Sequence, residues 1–167
     1  MHTYEPDDLD TMQPHQAVGA VLSDLREHRV TGDGDGLFTA TRHIGLLCHL
    51  AARMASDIEY QLVANSSGLF TAQTLGETTG HLGQAIAHYT QALAPLAALA
   101  QPAAQAPLQQ QADAIDRHRH LRVHLHDAGQ ALAAARACLQ VPHHPGPPNT
   151  TTTAVAASAV AAVRRRA

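Results

Sequence analysis

The chain has 167 residues, 45% of them hydrophobic and 15% charged, with a formal net charge of −3 when His is neutral. That length suits one domain, able to bury about two thirds of its unfolded surface without staples. The slightly acidic balance excludes a global basic field that would gather nucleic acid or anionic membrane, and the lack of any Lys excludes a P-loop Lys, a Schiff-base Lys and a Ser–Lys dyad.

Residues 1–12 are acidic and carry no apolar stretch, so they read as a disordered start without a signal peptide. A first, short helix begins near Pro14, a residue tolerated in a first turn. It lines up Val18, Val21, Leu22 and Leu25 and stops near Arg29. The stretch Thr31-Gly32-Asp33-Gly34-Asp35-Gly36 interrupts regular structure. As a calcium loop it fails in either alignment, with Phe38 at the turning Gly or Arg42 at the bidentate Glu.

A second helix is expected from about Thr41 to Asn65. Its stripe of Ile44, Leu47, Ala51, Met54, Ile58 and Leu62 follows the 3.6-residue period. The short connection Asn65-Ser66-Ser67-Gly68 implies an antiparallel neighbour. Thr74 and Glu77 have capping-box spacing for a third helix, striped by Leu75, Leu82, Ile86, Tyr89, Leu93 and Leu96. Pro95 is expected to kink or end it. The fourth helix runs from about Leu108 to Leu139, with Ile115, Leu121, Leu125, Leu132 and Leu139 facing inward.

Beyond Pro142 the composition changes to Pro, Thr and Ala. Residues 142–167 read as a flexible tail ending in Arg164-Arg165-Arg166. Aromatics are 3% and Trp is absent. The apolar residues are mainly Ala and Leu, the strongest apolar helix formers. The expected fold is therefore all-α: an antiparallel four-helix bundle spanning 13–141, with one short and three long helices. Arg in place of Lys, with abundant Ala, reads as GC-rich coding and carries no mechanism. No apolar run reaches the ~20 residues of a membrane span, so no membrane partner is expected and the cytoplasm is the expected location.

The fullest chemical constellation is Asp113, Asp116, His120, His124 and Asp127, which share one narrow arc of the fourth helix. A His pair at i, i+4 can bind a divalent metal, and same-line carboxylates can complete the shell. His120, His124, Asp116 and Asp127 are the candidate ligands. The competing reading is a solvated face of weak i, i+4 pairs, because the Leu stripe lies well round the helix. His118 points nearer the core, as a structural His. Glu77, His81 and His88 form a similar line on the third helix. The paired Glu-x-x-His pattern of ferritin-like bundles is absent.

Gly76, Gly80 and Gly83 share one side of the third helix. Three interior Gly cost about 2–3 kcal/mol relative to Ala, which close approach by another helix, intramolecular or from a second chain, would offset. They are the candidate interaction residues. Cys48 reads as a small buried hydrophobe rather than an activated thiol. Two Cys, Cys48 and Cys138, in separate helices do not make a disulfide framework.

Cys48-His49-Leu50-Ala51 and His126-Asp127-Ala128-Gly129-Gln130 resemble, over these two stretches only, the metal-binding helical bundles of the DinB/thiol-transferase type. Those carry one His on the second helix and a His or acid pair, four apart, on the last. Aligning Gly129-Gln130 puts Asp127 and Val123 at that pair, and Val cannot ligate a metal.

The functional expectation is a non-enzymatic helical-bundle protein acting through protein–protein interaction, as adaptor, regulator or assembly subunit, by a protein partner or self-association. No cofactor is expected. The alternative is a metal-binding bundle enzyme or sensor that uses His and Asp on the last helix with a divalent ion. Nucleic-acid binding through three Arg without aromatic stacking partners is disfavoured. The thirteen His make net charge pH-dependent, since free His titrates near ~6.5.

Overall fold

The computed structural model describes residues 3–64, 69–101 and 108–140. Among these, five helices form and no strand does: α1 Pro6–Asp10, α2 Pro14–Glu27, α3 Gly34–Ala64, α4 Leu69–Leu99 and α5 Leu108–Gln140. The helices α2 to α5 close a ring in which α2 touches α3, α3 touches α4, α4 touches α5 and α5 returns to α2. This is the antiparallel bundle of one short and three long helices. The stretch read as a flexible tail lies outside the described residues, beyond the end of α5.

The acidic start is not disordered from residue 3 onward. Glu5 and Asp8 form a reciprocal capping box around α1, and Leu9 is fully buried. Arg53 of α3 donates to the carbonyls of Leu9 and Met12, satisfying acceptors at and just beyond the end of α1. Buried apolar surface and a cationic anchor thus outweigh the charge of Asp7 and Asp8, which face water.

Helix α3 begins seven residues before the expected Thr41. Asp33 is the reason: its Oδ1 accepts from the Gly36 backbone N–H at 2.8 Å, and from the Thr31 hydroxyl at 2.6 Å. An Asp in this position satisfies one of the orphan donors of a helix start, so the Gly-rich stretch is a cap followed by a first turn. At Gly36 a Cβ would fall 1.8 Å from the Thr31 carbonyl oxygen, so only Gly allows the chain to fold back here. The buried side of α3 is also rotated from the expected stripe, to His43, Leu46, Leu47, Leu50 and Met54; Leu62 is exposed.

Helix α4 begins at Leu69, which puts Thr74 and Glu77 in its interior. Glu77 accepts from Gln73 there instead of capping. The helix continues through Pro95 to Leu99; Pro95 removes one donor near the C-terminal end, and Leu96 remains fully buried beyond it.

The α4–α5 seam is built largely from Ala. Ala85 and Ala92 on α4, with Ala128 and Ala135 on α5, are all fully buried. Side chains this small let helix backbones approach closely, while Leu82, Leu96 and Leu132 supply the larger apolar burial. On α5 the expected inward stripe holds for Leu121 and Leu132, but Ile115 is 68% exposed. The first turns of α5 extend beyond the reach of short α2, so among the described residues no helix covers that side. No described helix is long and apolar enough to cross a membrane.

Candidate functional site

Three features stand out, of which sequence patterning gives only part. The first is a buried polar cluster between α2, α3 and α4. Asp24 and His43 are both fully buried. The Asp24 carboxylate accepts from the Arg42 guanidinium and, at 3.3 Å, from the Tyr4 backbone N–H. The His28 ring, just past the end of α2, lies 3.3 Å from its other face of charge at Oδ1. Burial raises the Asp24 pKa, yet the Arg42 hydrogen bond and the Tyr4 N–H outweigh it, and the net shift is downward.

His43 is different. Its Nε2 lies 3.6 Å from Asp24 Oδ2, and neither ring nitrogen has a hydrogen-bond partner. Burial drives its pKa down to about 4, against the opposing pull of the Asp24 charge. The ring is therefore neutral at pH 7 and meets Tyr89 edge-on, with centroids 5.6 Å apart at 84°. Burial likewise pushes the Tyr89 hydroxyl pKa up. With Asp24 and His43 sealed from solvent, the cluster ties together the junction of α1, α2 and α3. In the sequence its only trace is that His43 continues Leu47, Leu50 and Met54 at helical spacing.

The second feature is a groove of about 540 Å3 between α2 and α5. Tyr89 of α4 lines it, with Leu22, Leu25, Leu125 and Leu132 as apolar wall. Arg26, Arg29 and Arg136 stand at its edge, all exposed.

The third lies at the end of the bundle where α3 stops and α4 starts. Four of the seven large apolar side chains left exposed among the described residues are here: Tyr60, Leu62, Val63 and Leu69. Val63 is 85% exposed. A second groove of about 490 Å3 opens at the same end, lined by Pro14, Tyr60, Leu75 and Leu139.

The residues of the expected metal line all lie on α5. Asp116 and His120 are exposed on α5, Asp113 and Asp127 are half-buried, and no three His, Cys, Asp or Glu gather into a metal-sized cluster among the described residues. The structure does bring His124 against His88 of α4, with ring centroids 6.2 Å apart. Their Nδ1 atoms are buried without partners. Glu77 and His81 are engaged locally by Gln73 and Gln84. His118 is exposed rather than core-facing, and its ring lies over Gly32.

Gly76, Gly80 and Gly83 are exposed, and the space where a Cβ would project is open at each. Among the described residues no helix packs close there. Cys48 is exposed rather than buried, and both Cys are free. His49 pairs with Asp10 at 2.8 Å, on a helix that does not touch α5. The two stretches that resemble the DinB/thiol-transferase bundles thus do not share a site. Compared with protein-family models, curated proteins and solved structures, the chain matches none.

Proposed function

We propose that this chain is a non-enzymatic interaction bundle, an adaptor, regulator or assembly subunit, which docks a protein partner or a second copy through its α3–α4 end. The observation that carries the reading is the concentration of Tyr60, Leu62, Val63 and Leu69, all exposed, within ten residues of chain at one end of the bundle. Scattered apolar residues on a surface are ordinary, but a gathered set marks contact sites. The adjoining groove, where Tyr60, Leu75 and Leu139 lie among polar neighbours such as Arg53 and Asp57, supplies a concave surface of mixed character beside the projecting side chains, the arrangement in which interface anchors seat.

The test is Val63→Glu with Leu69→Glu, assayed by sedimentation over a dilution series and by capture of partners from the native lysate. Both residues are exposed, so the melting temperature should stay within a degree or two of wild type. Association, with itself or with a captured protein, should be lost. Wild-type protein that stays monomeric and captures nothing the double variant does not also capture overturns the proposal.

A second reading, metal binding, is favoured by the approach of His88 and His124 with both Nδ1 atoms unpartnered. Buried imidazole nitrogens of this kind are ready ligands once two further donors are recruited; His120 and Asp127 lie about one turn to either side of His124 on α5. Elemental analysis of untagged protein decides it. A stoichiometric divalent metal lost in His124→Ala supports it, and metal-free wild-type protein ends it.

A further inference from the structure

The α2–α5 groove has a chemistry separate from the interaction end. Its walls divide into two kinds. The interior is apolar, with Leu22 and Leu132 almost fully buried behind it and Val30 closing one side. The edge is cationic: Arg26 and Arg29 stand three residues apart at and just past the end of α2, and Arg136 lines the groove from α5. Among the described residues no carboxylate lines the groove and none of the three Arg is ion-paired, whereas Arg42 is paired with Asp24 and Arg53 is committed to backbone carbonyls. A volume of about 540 Å3 falls within the usual range of small-molecule sites, which combine apolar walls with a few placed polar groups.

We propose that this groove binds an amphiphilic carboxylate, with its apolar body along Leu25, Leu125 and Leu132 and its head group between the Arg side chains. A guanidinium presents a planar fork of donors that matches a carboxylate bidentately. Three such groups around an apolar slot favour an anion over a neutral analogue and repel a cation of the same length. Arg is not a metal ligand, and the apolar half of the groove has nothing to offer a free inorganic anion.

The groove exists because α2 has 14 residues against 33 in α5. The short helix meets the long one along only part of its length, and Tyr89 fills the gap beneath. Gly129 contributes too, since the place of its Cβ is open and the groove stays deep at that point.

The experiment is calorimetric titration of the full chain with decanoate, decanol and decyltrimethylammonium, each below its micelle concentration. Decanoate should bind saturably and at least tenfold more tightly than decanol, and the quaternary ammonium should not bind. Replacing the three exposed Arg by R26Q, R29Q and R136Q together should remove the preference for decanoate over decanol. Gly129→Leu, whose Cβ meets no atom within 4 Å, should occlude the groove and abolish binding of both while leaving the circular dichroism spectrum intact. Equal binding of anion and ammonium, a preference for decanoate that survives the triple Arg variant, or binding that survives Gly129→Leu, overturns the proposal. So does a wild-type protein indifferent to decanoate that binds an acidic peptide instead.

Discussion

His43 is a fully buried ring with two unpartnered nitrogens, and that carries a thermodynamic consequence. Its pKa is held down to about 4 in the folded chain, against ~6.5 when unfolded. Between those values the unfolded chain binds a proton that the folded one does not. Stability therefore falls as pH drops from 6.5 towards 4, by on the order of 2–3 kcal/mol at the low end. Asp24 acts in a lower window. Its folded pKa is depressed, so its contribution is complete above the unfolded carboxylate value and fades as pH falls through the folded one. Replacing His43 by Phe keeps an aromatic edge against Tyr89 and removes the protonation penalty. Urea melts at pH 7 and pH 5 should show wild type losing about 1–2 kcal/mol more than His43→Phe across that interval. Parallel losses in the two proteins would mean that His43 does not titrate as a buried neutral ring.

At the scale of the element, opposite outcomes are expected from two small-to-large changes. Gly80 is exposed on α4 with open space at its Cβ, so Gly80→Leu should stabilise by up to about 1 kcal/mol through helix propensity alone. Ala128 is fully buried in the α4–α5 seam, so Ala128→Leu should destabilise by about 1–3 kcal/mol as overpacking. Thermal melts of both decide whether the Ala face or the Gly face is the close contact. Sequence periodicity distinguished these faces only in part. It found α2, the bodies of α3, α4 and α5, and most inward Leu, because a 3.6-residue stripe directly encodes one buried side. It set the start of α3 too late, since the Gly-rich stretch conceals the Asp33 cap. It turned Ile115 inward because periodicity cannot reveal that short α2 leaves the start of α5 uncovered.

For the molecule as a whole, composition was a sufficient guide to class and a poor one to site. Ala and Leu dictate helices, and four helices of unequal length close a ring with grooves where the short one falls away. Neither groove is written in any single segment: Arg26 and Arg136 are far apart in the chain, and Tyr60 and Leu139 line one groove only once the bundle has closed. The His and Asp line on α5 was conspicuous because it is periodic. Yet the fold sets only His124 of that line against a His of another helix, and His88 had been read as part of a separate line. The exposed apolar set at the α3–α4 end was partly hidden, because Leu62 also fitted the inward stripe of α3.

The interaction proposal is tested most directly by where covalent capture occurs on the surface. A photoreactive benzoylphenylalanine placed at Val63, and separately at Gly80, samples the α3–α4 end and the open Gly face of α4 at two exposed positions. Irradiation of cells expressing each protein, followed by denaturing electrophoresis, should give a discrete adduct from position 63, with another copy or a second protein, and none from position 80. Adducts from position 80 alone, or from neither position, would contradict docking through the α3–α4 end.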